Sequence, residues 1–189
     1  MTDPALLPIA RRRRLIGVVL ALVLVAAACG GDGDDDVLRL TNEPTSLDDI
    51  QNDDAVGSEV DLEYATFDGG TSNFTAYAGK PLVINFFART CPACVSEMPD
   101  FDEVFREFGG EVAFVGISTD PRKEDAEILI EETGVTYDLG WDPAADLFAH
   151  FGGFAMPTTV FVTPDGVVHE TWSGVLTAAD LTSKIEEIA

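Results

Sequence analysis

Cysteine is scarce in this chain, three residues among 189, and histidine is scarcer, with two. So few sulfur and imidazole ligands leave little from which to build a tetrahedral zinc site, which wants four. Basic side chains are also few: eleven lysines and arginines face 34 carboxylates, for a formal charge of −23. So acidic a surface repels phosphate backbones, and nucleic acid is set aside as a partner. The apolar run from Leu15 to Ala28 has only 14 residues, short of the about 18 to 20 that a membrane span needs.

The charge that is present is unevenly placed. Arg11 to Arg14 stand against a single Asp3 in residues 1–28, a net of +3 that leaves −26 on the remainder. A basic cluster followed by a short apolar run has the anatomy of an export signal. The run ends Ala26-Ala27-Ala28-Cys29-Gly30, which resembles a bacterial lipobox, although that motif usually carries Leu where Ala26 stands. The resemblance implies that Cys29 is lipidated and anchors the chain to the outer face of the cell membrane. An ordinary signal cleaved near Ala28, or an uncleaved anchor, is the alternative. Residues 30–61 then hold eleven acids against Arg39 alone. Such a stretch buries too little apolar surface to order itself and reads as a solvated tether. It lacks the ligand spacing and the closing Glu of a calcium loop. The expected division is a signal peptide at 1–28, a tether at 29–60 and a folded domain at 61–189.

The domain is organised around Asn85 to Pro99, where Cys91 and Cys94 are separated by two residues. The apolar run Leu82 to Phe87 predicts a strand covered on both faces, and Pro92 suits the first turn of a following helix. Cys91 then sits at the helix N-terminus, where unpaired N–H groups favour a thiolate. Cys94 lies in the first turn, placed to resolve a mixed disulfide formed at Cys91. Glu97, three residues further on, shares the helix face of Cys94. A carboxyl partly withdrawn from water there could exchange a proton with that thiol. Half of a zinc site and an inert structural disulfide are the other readings of the pair. The rest of the chain offers a metal only His150, His169 and Cys29, and a two-residue loop constrains an unfolded chain little.

Phe86-Phe87-Ala88, Cys91-Pro92, Cys94, Glu97 and Pro99, with Met156-Pro157-Thr158-Thr159 further on, resemble the two signature stretches of the extracytoplasmic TlpA, ResA and DsbE group. The resemblance covers about Leu62 to Ile188. It implies an α/β fold, thioredoxin-like, with three α/β/α layers, an N-terminal β-hairpin and a central αβ insertion. It also implies a cis bond at Pro157, beside which the Met156 backbone pairs with an extended substrate. The activity implied is thiol–disulfide exchange through a redox-active Cys91–Cys94 disulfide, with no cofactor. Protein thiols and disulfides and a membrane redox donor or acceptor are the partners. Members of the group either reduce apocytochrome c and other secreted thiols or oxidise secreted proteins, and Pro92-Ala93 does not decide between them. Phe87 and Thr90 stand where the group usually carries Trp. Arg89 could lower the Cys91 pKa or lie solvated.

Elsewhere, alternation and punctuation predict strands at 61–67 and 71–73 around Asp68-Gly69-Gly70, then strands at 112–118 and 136–139. A hairpin at 159–162 and 166–172 turns at Pro164-Asp165-Gly166. Helices are expected from Pro92 to Gly109-Gly110 with a kink at Pro99, at 121–132 with Ile128 and Leu129 inward, at 144–151, and at 176–188 capped by Thr177. Two other functions compete with this reading. A peroxiredoxin-like peroxidase would want a Thr-x-x-Cys, whereas Thr90 directly precedes Cys91. A non-catalytic module that binds a metal or a periplasmic protein is the second, distinguished by stoichiometric zinc or copper without insulin reduction.

Overall fold

The computed structural model describes residues 55–189. The leader, Cys29 and nearly all of the tether lie outside the described residues. Twelve short elements follow: β1 (Glu63–Thr66), β2 (Thr71–Asn73), a 3-10 turn (Phe74–Tyr77), β3 (Leu82–Phe87), α1 (Pro92–Phe108), β4 (Ala113–Ser118), α2 (Lys123–Thr133), β5 (Asp138–Trp141), α3 (Asp146–His150), β6 (Thr158–Val162), β7 (Val168–Ser173) and α4 (Ala178–Ile188). The strands form one sheet in the order β2-β1-β5-β4-β3-β6-β7. β3, β4 and β5 run parallel, β6 is antiparallel to β3, and the β1–β2 hairpin joins through an antiparallel β1–β5 pair. No helix among the described residues is long and apolar enough to cross a membrane.

The pleat sends alternate side chains of β3 to two separate cores. Val83 and Phe87 pack with Met98, Phe101, Leu129, Leu181 and Ile185 beneath α1, α2 and α4. Leu82, Ile84 and Phe86 pack on the other face with Phe74, Val160, Phe151 and the α3 side chains Leu147 and Phe148. This is the expected three-layer thioredoxin-like architecture, with the hairpin and the additional αβ unit in place. Glycine permits the closest approaches within it. A Cβ at Gly116 would stand 2.8 Å from Tyr137 and 3.0 Å from Phe87, and one at Gly140 would stand 2.5 Å from Tyr64 and 2.6 Å from Ile117.

Several boundaries and burials differ from the sequence reading. Folded chain begins ahead of residue 61: Ala55 and Val60 are buried, and Gly57 N–H donates to the Val168 carbonyl at 2.8 Å. Ile128 is exposed, while Ala126 and Leu129 carry the inward stripe of α2. Ala126 and Leu129 stand three residues apart on one helix face, whereas Ile128 is turned about 100° away from Leu129. β5 starts at Asp138 instead of 136, because the Asp102 carboxylate takes both the N–H and the hydroxyl of Thr136. The α4 cap is as expected, with Thr177 and Asp180 satisfying each other's backbone N–H groups in a capping box. Gly140→Ala should lower stability by about 1–3 kcal/mol through overpacking, whereas Ile128→Ser should change it by under about 0.5 kcal/mol. Urea midpoints measure both, and equal midpoints would show that Tyr64 and Ile117 yield freely.

Candidate active site

The segment from β3 to α1 is held against the end of β4. Thr119 N–H donates to the Phe87 carbonyl at 2.9 Å, and the buried Asp120 carboxylate accepts Arg89 N–H at 3.0 and 3.1 Å. Asp120 is itself braced by the Ser118 hydroxyl at 3.0 Å, and its carbonyl accepts the Trp141 indole N–H at 2.7 Å. The Arg89 guanidinium is turned to Asp125, 3.1 Å away, which also pairs with Arg122. Those partners, Arg122 first, hold the Asp125 carboxyl below its ordinary range. The Arg89 side chain is exposed, as in the solvated reading, and its charge is paired with a surface carboxylate.

Cys91 is the N-cap of α1, with extended backbone angles, and Pro92 occupies the first helical position. The Cys91 sulfur accepts the Cys94 N–H at 3.1 Å, so an otherwise orphaned helix donor already points at it. Cys91 and Cys94 form a disulfide, with their Cα atoms 5.3 Å apart. Cys91 is partly exposed while Cys94 is fully buried. Only the first sulfur can meet a bulky partner, and only from outside. Pro99 lies inside α1 as expected.

The Met156–Pro157 peptide bond is cis. Its loop is fastened by Gly174 N–H donating to the Pro157 carbonyl at 2.9 Å and the Thr158 hydroxyl donating to the Ala155 carbonyl at 2.6 Å. Met156 and Cys91 pack against the same core cluster. An open cleft of about 550 Å³ runs beside them, bordered by Arg89, Thr90, Thr119, Pro121 and Met156. Phe154, two residues before Met156, is one of the few large apolar side chains left exposed.

Glu97 is 1% exposed. One carboxyl oxygen accepts the Asn85 amide at 3.0 Å and the other accepts Leu176 N–H at 3.2 Å. Burial pushes its pKa up to about 7, with Asp100 adding to the rise, against the pull of those two donors. Glu97 is therefore a core carboxyl and not an acid on the helix surface. Sequence reasoning missed Asn85, which is 2% exposed and also donates to the Thr159 hydroxyl at 3.2 Å. A lone amide in an otherwise apolar central strand was the available signal, since a buried polar group needs partners. His150 and His169 are both exposed, on a helix end and a strand edge far along the chain from this cluster.

A carboxyl whose folded pKa lies above its unfolded value near 4.5 stabilises the fold at low pH. That contribution is lost as pH climbs from 4.5 through 7, where the unfolded chain releases the proton and the folded one retains it. Glu97→Gln stays neutral throughout, so between pH 4.5 and 8.5 the parent should lose on the order of 3 kcal/mol relative to it. Urea unfolding of the two oxidised proteins across that range measures the difference. Parallel curves would mean that the carboxyl ionises as freely as in water.

Comparison with known proteins agrees with this geometry. The AhpC/TSA family matches residues 56–171, more than half of the chain. The thiol-disulfide oxidoreductase ResA of Geobacillus thermodenitrificans is 26% identical over 180 residues, 94% of this chain and 98% of that one. Among solved structures, MTB dsbF in mixed oxidised and reduced forms has a TM-score of 0.64 at 26% identity, covering 69% of this chain and 96% of its own. The exposed lipoprotein thioredoxin Etrx1 of Streptococcus pneumoniae TIGR4 has a TM-score of 0.57 at 25% identity, over 67% and 98%. A buried Cys94 behind a reachable Cys91, a cis-proline loop and a fold shared with these redox proteins lead to one assignment: the chain belongs to the AhpC/TSA family and is a thioredoxin-fold thiol–disulfide oxidoreductase of the TlpA, ResA and DsbE kind.

Proposed function

We propose that this oxidoreductase works outside the cytoplasm, held to the cell membrane by a lipid on Cys29, and exchanges disulfides with secreted proteins through Cys91, Cys94 and Glu97. In the reducing direction the Cys91 thiolate attacks a substrate disulfide, forming a mixed disulfide and expelling one substrate thiolate. Cys94 then loses its proton to the Glu97 carboxylate and attacks the Cys91 sulfur. That breaks the mixed disulfide, expels the second substrate thiolate and leaves Cys91–Cys94 oxidised. Two electrons pass from the enzyme dithiol to the substrate. A membrane redox partner restores the dithiol, and the same steps reversed would oxidise a substrate. The direction is set by the reduction potential and by that partner, so maturation of cytochrome c and oxidative folding are both within reach of this chemistry.

The observation that carries the reading is the buried Glu97 carboxyl, poised near neutrality one turn beyond Cys94. A proton acceptor of matched pKa is what the resolving thiol lacks in a closed core. The cis-proline loop supports the substrate role: an extended peptide could pair with the Met156 backbone in β fashion, and Pro157 fixes where that backbone lies. Outer-face placement rests on the leader anatomy and on the export signal followed by Ala28-Cys29. A solved relative described as an exposed lipoprotein is consistent with it.

Two experiments test the proposal in the native host. Cys94→Ser should accumulate disulfide-linked adducts with envelope proteins that vanish on adding dithiothreitol and are absent from the Cys91→Ser, Cys94→Ser double variant. Mass spectrometry of those adducts names the substrate, and their absence would remove the exchange reading. Cys29→Ala should move the protein from the membrane to the soluble fraction on cell fractionation. A protein that stays membrane-bound would rule out the lipid as its anchor.

A further inference from the structure

Both hydrogen bonds that the Glu97 carboxyl makes among the described residues come from donors. The Asn85 amide NH₂ lies 3.0 Å from one oxygen, and Leu176 N–H lies 3.2 Å from the other. That arrangement suits an ionised carboxylate and offers no acceptor to a protonated one. Leu176 N–H belongs to the backbone and cannot change sign. Asn85 can, because a half-turn about its last side-chain bond exchanges NH₂ and oxygen. Its oxygen, Oδ1, is buried and has no hydrogen-bond partner among the described residues. Thr159, paired directly opposite Asn85 across the β3–β6 ladder, accepts the second NH₂ hydrogen at 3.2 Å. A hydroxyl can accept or donate.

We propose that Asn85 is a positioning residue whose amide turns over each time Glu97 gains or loses its proton, with the Thr159 hydroxyl reversing its hydrogen bond in step. With Glu97 ionised, Asn85 NH₂ donates to both Glu97 and Thr159, and Oδ1 is the orphan. With Glu97 protonated, Oδ1 accepts from the Glu97 O–H and the Thr159 O–H, and NH₂ becomes the orphan. Each state leaves one end of the amide unpartnered, so neither is locked in. The unpaired Oδ1 is thus the acceptor held in reserve for the acid form. The other titratable groups that interact with the carboxyl are Asp100 on its own helix and Tyr137 ahead of β5. Burial holds the Tyr137 phenol above its ordinary range, so it stays neutral while Glu97 titrates. Asp102 is engaged by Thr136 and Arg106. The inference rests on the reading that Glu97 trades a proton with Cys94, and it specifies how the core accommodates that trade.

Nuclear magnetic resonance on the oxidised ¹⁵N,¹³C-labelled protein tests the turnover. As pH falls through the midpoint of the Glu97 carboxyl carbon, both Asn85 NH₂ proton resonances should shift with that same midpoint. Their Overhauser contacts to Thr159 should be lost. Glu97→Gln provides the second measurement. Its carbonyl must accept Leu176 N–H, so its own NH₂ faces Asn85 and should hold the Asn85 amide in the low-pH arrangement at every pH. Asn85 resonances that keep their high-pH contacts through the Glu97 midpoint, or that match the parent's high-pH spectrum in Glu97→Gln, would overturn the proposal. Glutathione exchange rates on the same samples separate the two ideas. Rates indifferent to the Glu97 midpoint while Asn85 turns over would fault the proton-transfer reading alone. Rates that follow it while Asn85 stays fixed would fault the turnover alone.

Discussion

A carboxyl group sunk in the core beneath a disulfide is the constraint to which the surrounding structure answers. An ionised carboxylate without partners in such a place costs several kcal/mol, so the fold must supply donors from more than one direction. β3 supplies Asn85 and the segment ahead of α4 supplies Leu176 N–H. Glu97 therefore ties α1 both to the middle of the sheet and to the last helix. A wholly apolar pocket would hold the acid permanently protonated, and a fully solvated one would hold it permanently ionised. Neither would trade a proton near neutral pH. Two donors set against deep burial leave the pKa at about 7, between those extremes.

The exposed sulfur has a different problem. The chain carries a formal charge of −23, and a thiolate at Cys91 adds to it. The nearest cation in sequence, Arg89, is already neutralised by Asp125. Stabilisation must come from something local and oriented. The N-terminus of α1 meets that need, because Cys94 N–H already points at the Cys91 sulfur and the helix dipole adds to it within the first turn. Distant carboxylates matter less, since the screening length is about 8 Å at physiological ionic strength. A strongly acidic surface is thus compatible with the thiolate that the proposed mechanism requires, because one field is screened and the other acts at contact.

Much of this was legible in the chain. β3 and β4 announced themselves as near-continuous apolar runs, and α1 was bracketed by Pro92 and Gly109-Gly110, residues whose backbone requirements mark a start and a stop. Cys91, Cys94, Glu97 and Pro157 could be singled out because their roles depend on local spacing or on a recognised motif. Hidden were the contacts that join positions distant in sequence. Asp102 reaching Thr136 displaced the start of β5 by two residues, and nothing near either residue announces the other. Asn85 stood inside a run read as apolar, where its polarity was the clue. Thr159 looked like part of the proline loop, although its partner is 74 residues away. Ile128 was misjudged because adjacent Ile and Leu fit a helical stripe equally well until the neighbouring helix selects one.

The register of the central strands carries more than stability. Side chains alternate across a strand, so a slip of one residue between sequence and pleat would exchange the two faces of β3. Asn85 would then enter the core of Leu82, Ile84, Phe86 and Phe151, away from the Glu97 carboxyl that it now serves. Glu97 would lose a donor that helps keep its pKa within reach of neutrality. The same slip in β6 would carry Thr159 away from Asn85, its partner opposite in the ladder. Apolar burial on both faces makes such slips costly by itself, since Val83 and Phe87 would trade places with Ile84 and Phe86 in cores shaped for other side chains. The packing that fixes the register therefore also fixes the donors around the Glu97 carboxyl, and in the proposed mechanism the exchange at Cys91 depends on those side chains of the central strands.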